Sequence, residues 1–324
     1  MGKTKIEWCD HTINPVVGCS KCSPGCKNCY AKKMAFRLSK NPLTAKKYAG
    51  VVDEHGKWTG RVNFLLSNKD TPHRVPGYGK RVFVGSMTDI FHPSVSDEMR
   101  DDIFASILAD AIIANSKNHK FIMLTKRPGR MKDYFSPGPD AMLRRWGKAG
   151  DGLLHIGDGD EFFSEYAEGL TIPQPEHEKY PLLLHDYLWP LPNLWLNVSV
   201  CNQQEADEKI PVLMQIPAAK RGVSIEPMLE PISLHPSWRY HSFFGPQNEG
   251  EWLNVVECGH SVSKYGINWV ICGAETGPKK RPMSLEWAIA LRNQCKDAGV
   301  PFFFKKDSKG KEFLDGEIVR QFPD

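Results

Sequence analysis

The chain has 324 residues, 41% hydrophobic and 25% charged, which is an ordinary globular composition long enough to bury a sizeable core in one large domain or two small ones. No apolar run is long enough to span a bilayer, and the opening MGKTKIEWCD lacks the apolar stretch of a secretory signal, so a cytoplasmic protein with no membrane partner is expected. The net charge of +4 is a mild basic excess, below the level that signals nucleic acid by itself.

In chain order, the first unusual stretch is residues 18–31, GCSKCSPGCKNCYA, with four of the nine cysteines. Next comes RVFVGS (81–86), a short β-branched and aromatic run that predicts a strand. A helix follows it in 96–118, with Ser96 as N-cap, acids in the first turn, and Ile103, Ile107, Leu108 and Ala111 at helical spacing. FIMLT (121–125) predicts a strand and RPGRMKDYF a short helix. WLNVSV (195–200) predicts a strand and QQEADEKIPVLMQI a helix. GVSIE (222–226) and INWVICGA (267–274) are strands, SLEWAIALRNQCKDAG a helix, and VPFFFKK (300–306) a last strand. Nearly continuous apolar strands alternating with helices indicate a parallel sheet, either an α/β barrel or part of one, or a doubly wound open sheet. No GxGxxG follows the first strand, so the dinucleotide version of the open sheet lacks its signature.

Two stretches break the rhythm: residues 136–190, rich in Gly, Pro, acids and aromatics, and residues 235–265, rich in Trp, His and Gly. Long structureless loops are uncommon inside compact domains. They are read as insertions into a single domain spanning 1–324, forming a lid or a substrate-reading surface.

The odd cysteine count, the long chain and a reducing compartment argue against a disulfide framework for residues 18–31. Zinc sites usually pair two CxxC knuckles across a dozen or more residues; only three residues separate the knuckles here, tight for a tetrahedral shell. Iron–sulfur clusters accept cysteines along one short wrapping loop. Cys22, Cys26 and Cys29 read CxxxCxxC, three thiolates that leave one iron of a cubane open. Cys9, Cys201, Cys258, Cys272 and Cys295 are scattered and predicted to be buried, inert thiols. The histidines show no HxxxH or HExxH pair, so a second metal site has no support.

CxxxCxxC on this α/β pattern resembles the radical SAM superfamily. A narrower resemblance runs through NPVVGCSKCSPGCKNCYA, FVGSMTDIFH, LTKRPGRM, LWLNVSV, WVICGAETGPKKRPM and GVPFFFKK, from about Trp8 to Lys306 without the insertions. It is to a phage and bacterial family of uncharacterised radical-SAM-like proteins, often called three-Cys-motif proteins. The resemblance implies a partial (β/α)6 barrel of parallel strands and a 4Fe-4S cluster. In the narrower family the first ligand follows the Gly of NPVxGC, giving Cys19, Cys26 and Cys29; the superfamily spacing gives Cys22, Cys26 and Cys29. Cys26 and Cys29 are common to both, and Cys19 is preferred as the third because the narrower match is longer. The open iron would take S-adenosylmethionine, whose reductive cleavage yields a 5′-deoxyadenosyl radical that abstracts hydrogen from a substrate. An external electron donor of flavodoxin or ferredoxin type is implied.

In such barrels function sits at the C-terminal ends of the strands. There the sequence places Gly85, Ser86 and Asp89; Thr125, Lys126 and Arg127; Asn197 and Ser199; Ser224 and Glu226; Gly273, Ala274 and Glu275 with Lys279, Lys280 and Arg281; and Lys305 and Lys306. By resemblance, GSMTD (Gly85–Asp89) meets the amino group of S-adenosylmethionine, Ser199 faces its ribose or carboxylate, and Glu226 or Glu275 holds a hydroxyl or amine. The basic groups, Lys126, Arg127, Arg281 and Lys305 above all, are expected to form a positive mouth for phosphates. Trp146, Trp238, Tyr240, Phe243 and Phe244 are candidates to stack on bases. The expected function is therefore radical SAM modification or repair of a nucleic acid or nucleotide. The alternatives are a non-catalytic zinc-stabilised nucleic-acid-binding protein and a radical SAM enzyme acting on a peptide or small metabolite.

Overall fold

The computed structural model describes residues 2–67, 72–112, 118–154, 188–235 and 266–323. The strands are β1 (Gly2–Lys3), β2 (His11–Ile13), β3 (Val16–Val17), β4 (Asn63–Phe64), β5 (Arg81–Val84), β6 (Lys120–Thr125), β7 (Leu194–Ser199), β8 (Lys220–Ile225), β9 (Trp269–Cys272) and β10 (Phe302–Phe304). The helices are α1 (Tyr30–Ser39), α2 (Asp97–Ile112), α3 (Pro128–Phe135), α4 (Pro139–Leu154), α5 (Gln203–Met214) and α6 (Leu285–Asp297). The main sheet runs β1-β2-β5-β6-β7-β8-β9-β10, parallel throughout except for the β1 edge. It curls into a half-barrel, and β3 and β4 form a separate antiparallel pair.

Every strand read from the sequence forms at its expected place. The expected six become seven parallel strands, because β2 adds itself beside β5. The predicted helices form as α2, α3, α5 and α6; Ser96 Oγ accepts from Met99 N at 3.3 Å at the start of α2. Of the two stretches read as insertions, 136–190 is helical over α4, while residues 155–187 and 236–265 lie outside the described residues, and with them Trp238, Tyr240, Phe243, Phe244 and Cys258. Trp146 is a correction: it is fully buried, stacked on Phe104 with centroids 5.2 Å apart, and its Nε1 donates to Tyr134 Oη at 2.8 Å. It is core and presents no face to a base.

The strands are apolar along their length because both faces are covered. Val82, Val84, Phe121, Met123, Leu196 and Val198 face the helices. The alternate positions Phe83, Ile122, Trp195, Trp269, Ile271 and Phe303 face the concave side, where Trp8 and Phe322 close over them. Trp8 packs on Phe83 with centroids 4.8 Å apart, and Trp269 on Phe322 at 5.5 Å. An aromatic floor thus fills the deep end of the half-barrel, and polar side chains begin above it.

Candidate functional site

The cysteine loop leaves β3 through Gly18, at φ +107°. A Cβ there would lie 2.2 Å from Arg61 O, so a side chain is excluded. Gly18 N donates to Met87 O at 3.2 Å, and Thr88 Oγ1 donates to Gly18 O at 2.6 Å, which tie the loop to the β5 exit. Ser23 Oγ accepts from Gly25 N at 3.1 Å and caps a 3-10 turn over Pro24–Cys26. Cys29 N donates to Cys26 O at 3.4 Å, and Cys29 is the N-cap residue of α1. Asn28, between the two cysteines, donates to Glu275 Oε2 and to Lys279 O, each at 2.8 Å, reaching the β9 exit. A Cβ on Gly25 would lie 3.5 Å from Cys201 Cβ and from Pro227 Cδ, so the loop also passes beside the residues beyond β7 and β8. With Arg127, just beyond β6, donating to Ser20 O at 3.0 Å, the loop lies across the exits of five parallel strands.

Arg127 is the bracket between loop and sheet. Its Nη1 donates to Asp89 Oδ2 at 2.8 Å and stands 4.0 Å from Cys19 Sγ, and its Nη2 donates to Ser20 O and Oγ, each at 3.0 Å. Asp89 also accepts from Thr125 Oγ1 at 2.7 Å, Phe91 N at 3.0 Å and Lys126 N at 3.1 Å, so its carboxylate is filled by the protein. Lys126 Nζ donates to Ser199 Oγ.

The thiols differ. None of the eight described cysteines is in a disulfide; Cys22 is exposed, Cys19, Cys26 and Cys29 are half-buried, and Cys9, Cys201, Cys272 and Cys295 are buried as read. A hydrogen bond from the Cys22 thiol, with backbone N–H groups and the Lys126 ammonium, holds Cys26 below the ordinary thiol range against the effect of burial. The same hydrogen bond pushes Cys22 up. Burial, then the Asp89 carboxylate, raises Cys19 to about 11, and Cys29 lies within electrostatic reach of it. Among the described residues no group of three or more His, Cys, Asp or Glu side chains is close enough to grip a single metal ion.

The other expected residues reach the same end of the sheet, mostly with partners in place. Gly85 has φ +90°, and a Cβ there would press on Ile90 at 3.0 Å. Ser86 Oγ donates to Asn14 Oδ1 at 3.1 Å, and Ser86 O accepts from Tyr30 Oη at 2.6 Å. Glu275 accepts from Arg281 N at 2.8 Å and Nε at 3.0 Å besides Asn28; burial works to raise it, but these donors hold it at about 2. Glu226 Oε1 pairs with Lys305 Nζ at 3.1 Å, and Glu7 stands 3.8 Å from Lys305 and 3.1 Å from Lys306. Burial would lower Lys305; the two carboxylates outweigh it and raise it. Lys126, Arg127, Arg281 and Lys305 are thus engaged by the protein itself. The cations expected to line a phosphate mouth each have a protein partner in this structure.

Several site residues had no sequence signal. Tyr30 Oη donates to Ser86 O, so it joins the loop to the β5 exit. Asn14, Ser20 and Glu7 are positioned only by the fold. Asn197, 1% exposed, shares its face of β7 with Trp195 and Ser199, and its Nδ2 has no hydrogen-bond partner among the described residues. Facing Gly222 leaves the room it occupies: a Cβ there would lie 2.0 Å from Asn197 Oδ1.

The family described as "Protein of unknown function (DUF5131)" matches residues 3–317. The chain belongs to that family. No curated protein and no solved structure matches it. No described helix is long and apolar enough to cross a membrane.

Proposed function

We propose that this DUF5131 protein is a radical S-adenosylmethionine enzyme of the three-Cys-motif kind, acting on a nucleic acid or nucleotide. Its loop would hold a 4Fe-4S cluster through Cys26, Cys29 and a third thiolate, Cys19 in preference to Cys22. The observation that carries the reading is the cysteine loop laid across five parallel strand exits, where a half-barrel collects its polar groups.

The donor set suits such a cluster. All four candidates are thiols on one short loop, the acidity of Cys26 is shifted towards the thiolate, and Lys126 and Arg127 stand beside the sulfurs to offset their charge. Bound there, the cluster and S-adenosylmethionine supply one-electron cleavage of the sulfonium and hydrogen abstraction from the substrate. The chain's own part is positional. Arg127 fixes the loop on Asp89, so the thiols cannot drift from the exits. Gly273 keeps space beside Glu226, where a Cβ would lie 3.0 Å from Oε1. The unpartnered Asn197 Nδ2 offers a buried donor to an acceptor on a small molecule. The aromatic floor closes the deep end to water.

Anaerobic purification tests the reading. A brown protein with bound iron is expected, and Cys26→Ala and Cys29→Ala each lose the iron and the cleavage of S-adenosylmethionine. Of Cys19→Ala and Cys22→Ala only one is as severe, and Cys19 is expected. A colourless protein with one zinc, or unchanged iron in Cys26→Ala, overturns the assignment in favour of a zinc-stabilised binding protein. Release of 5′-deoxyadenosine only with peptides or small metabolites removes the nucleic-acid half.

A further inference from the structure

Residues 11–52 contain eight basic side chains (Lys21, Lys27, Lys32, Lys33, Arg37, Lys40, Lys46, Lys47) and no Asp or Glu, leaving 34 basic and 38 acidic residues elsewhere, a net charge of −4. The positive charge of this chain is therefore segregated onto the cysteine-bearing segment. On α1, Lys33, Arg37 and Lys40 are all exposed at i, i+4 and i+7, which puts them on one helix face. None has a carboxylate partner among the described residues: Arg37 leans on Met34 Sδ at 2.8 Å, Lys40 lies over the Phe36 ring at 4.4 Å, and the Lys33 side chain makes no hydrogen bond or ion pair with them. Lys33 Nζ lies 2.8 Å from where a Cβ on Gly277 would sit, so the loop after β9, with exposed Lys279 and Lys280, continues the stripe. Tyr30, at the start of α1, rests on Ser86 at the β5 exit, so the stripe begins at the mouth and leads outward.

We propose that this stripe is a track for the phosphodiester backbone of a nucleic acid, delivering the polymer to the strand exits. Lys33 to Lys40 spans about 10 Å of helix axis. Over that length duplex DNA presents about six phosphate charges. Lysine is depleted at the cores of protein interfaces, and the apolar centre such an interface needs is not built here: in residues 11–52 the large exposed apolar side chains are Tyr30 and Leu43, which makes an acidic protein the poorer occupant. The inference deepens the nucleic-acid half of the proposed function and names a polymer, because a mononucleotide cannot engage cations spread along a helix. It rests on that half alone and not on the cluster.

The test uses the full chain with a short duplex DNA, its single strand and the RNA strand of the same sequence. Binding is expected to weaken steeply with salt. The triple variant Lys33→Gln, Arg37→Gln, Lys40→Gln is expected to bind about tenfold or more weakly at about 0.1 M salt and to flatten the log–log slope by about two to three units, close to one per lost contact. A control that removes three exposed cations elsewhere, Arg144→Gln, Lys148→Gln, Lys296→Gln, is expected to keep the parent's slope. Which polymer binds best separates DNA from RNA. A parent that binds none of the three, or a stripe variant with the parent's affinity and slope, overturns the proposal. So does a stripe variant that binds nucleic acid normally but is no longer reduced by flavodoxin, which would make the stripe a protein-docking face. Iron content and S-adenosylmethionine cleavage, read on the same samples, report on the cluster separately.

Discussion

Lys305 is gripped by Glu226 at 3.1 Å and flanked by Glu7 at 3.8 Å, whereas Lys33, on α1, pairs with no carboxylate among the described residues. The same contrast holds between Arg127, locked onto Asp89 and Ser20, and Arg37, which rests on a methionine sulfur. The difference follows from water. A charge drawn into the strand exits loses hydration and persists only if an opposite charge or several hydrogen bonds replace it. A charge on an exposed helix keeps its hydration and needs no partner, so it remains available to a ligand. Basic residues at an active-site end are therefore weak indicators of an anionic substrate until their neighbours are known.

The largest effect should come from breaking a committed cation. Arg127→Ala leaves Asp89 buried with its charge uncompensated and releases Ser20. A loss of about 3–5 kcal/mol in denaturant unfolding is expected, with reduced iron content. Arg127→Lys keeps the charge but not the fork that holds Asp89 and Ser20 together, and should recover only part of the loss. Stability unchanged in Arg127→Ala would show that the bracket does not hold the loop.

A smaller effect is expected from Glu275. Its carboxyl is held at about 2, below the ordinary 4.5, so the folded state binds this proton more weakly than the unfolded chain. Its stabilisation is present above pH 4.5 and lost as pH falls towards 2. Glu275→Gln removes that dependence, so acid unfolding followed by circular dichroism should be shallower through this window than in the parent. Parallel curves would sink the assignment.

The smallest effect on folding belongs to the open cations. The Lys33, Arg37, Lys40 triple variant should unfold within about 0.5 kcal/mol per position of the parent. Replacing Lys126 with Ala should in turn change the salt slope of nucleic-acid binding by no more than about one unit, because one ammonium neutralises at most one phosphate. A larger change would mean that its loss disturbs further phosphate contacts.

β5 to β10 were legible because strands buried on both faces need apolar runs, and such runs are visible without knowing what covers them. β2 was not: His11–Thr12–Ile13 is three residues long and mostly polar, and its pairing with β5 depends on residues seventy positions away. α1 was hidden because its buried face is only Ala31 and Ala35. The site was legible as residue types at strand ends, and not as partners. Lys306 meets Glu7 across 299 positions and Asn28 meets Glu275 across 247, separations at which sequence spacing carries no geometric information.

The aromatic floor has a consequence for biogenesis. Trp8 and Phe322, which close over Trp269 and Phe83, come from near opposite ends of the chain. Until Phe322 has left the ribosome, the concave face at Trp269 and Phe303 lacks part of its cover. Completion of the floor is thus a late, long-range closure, with an apolar trough open to holdase chaperones beforehand.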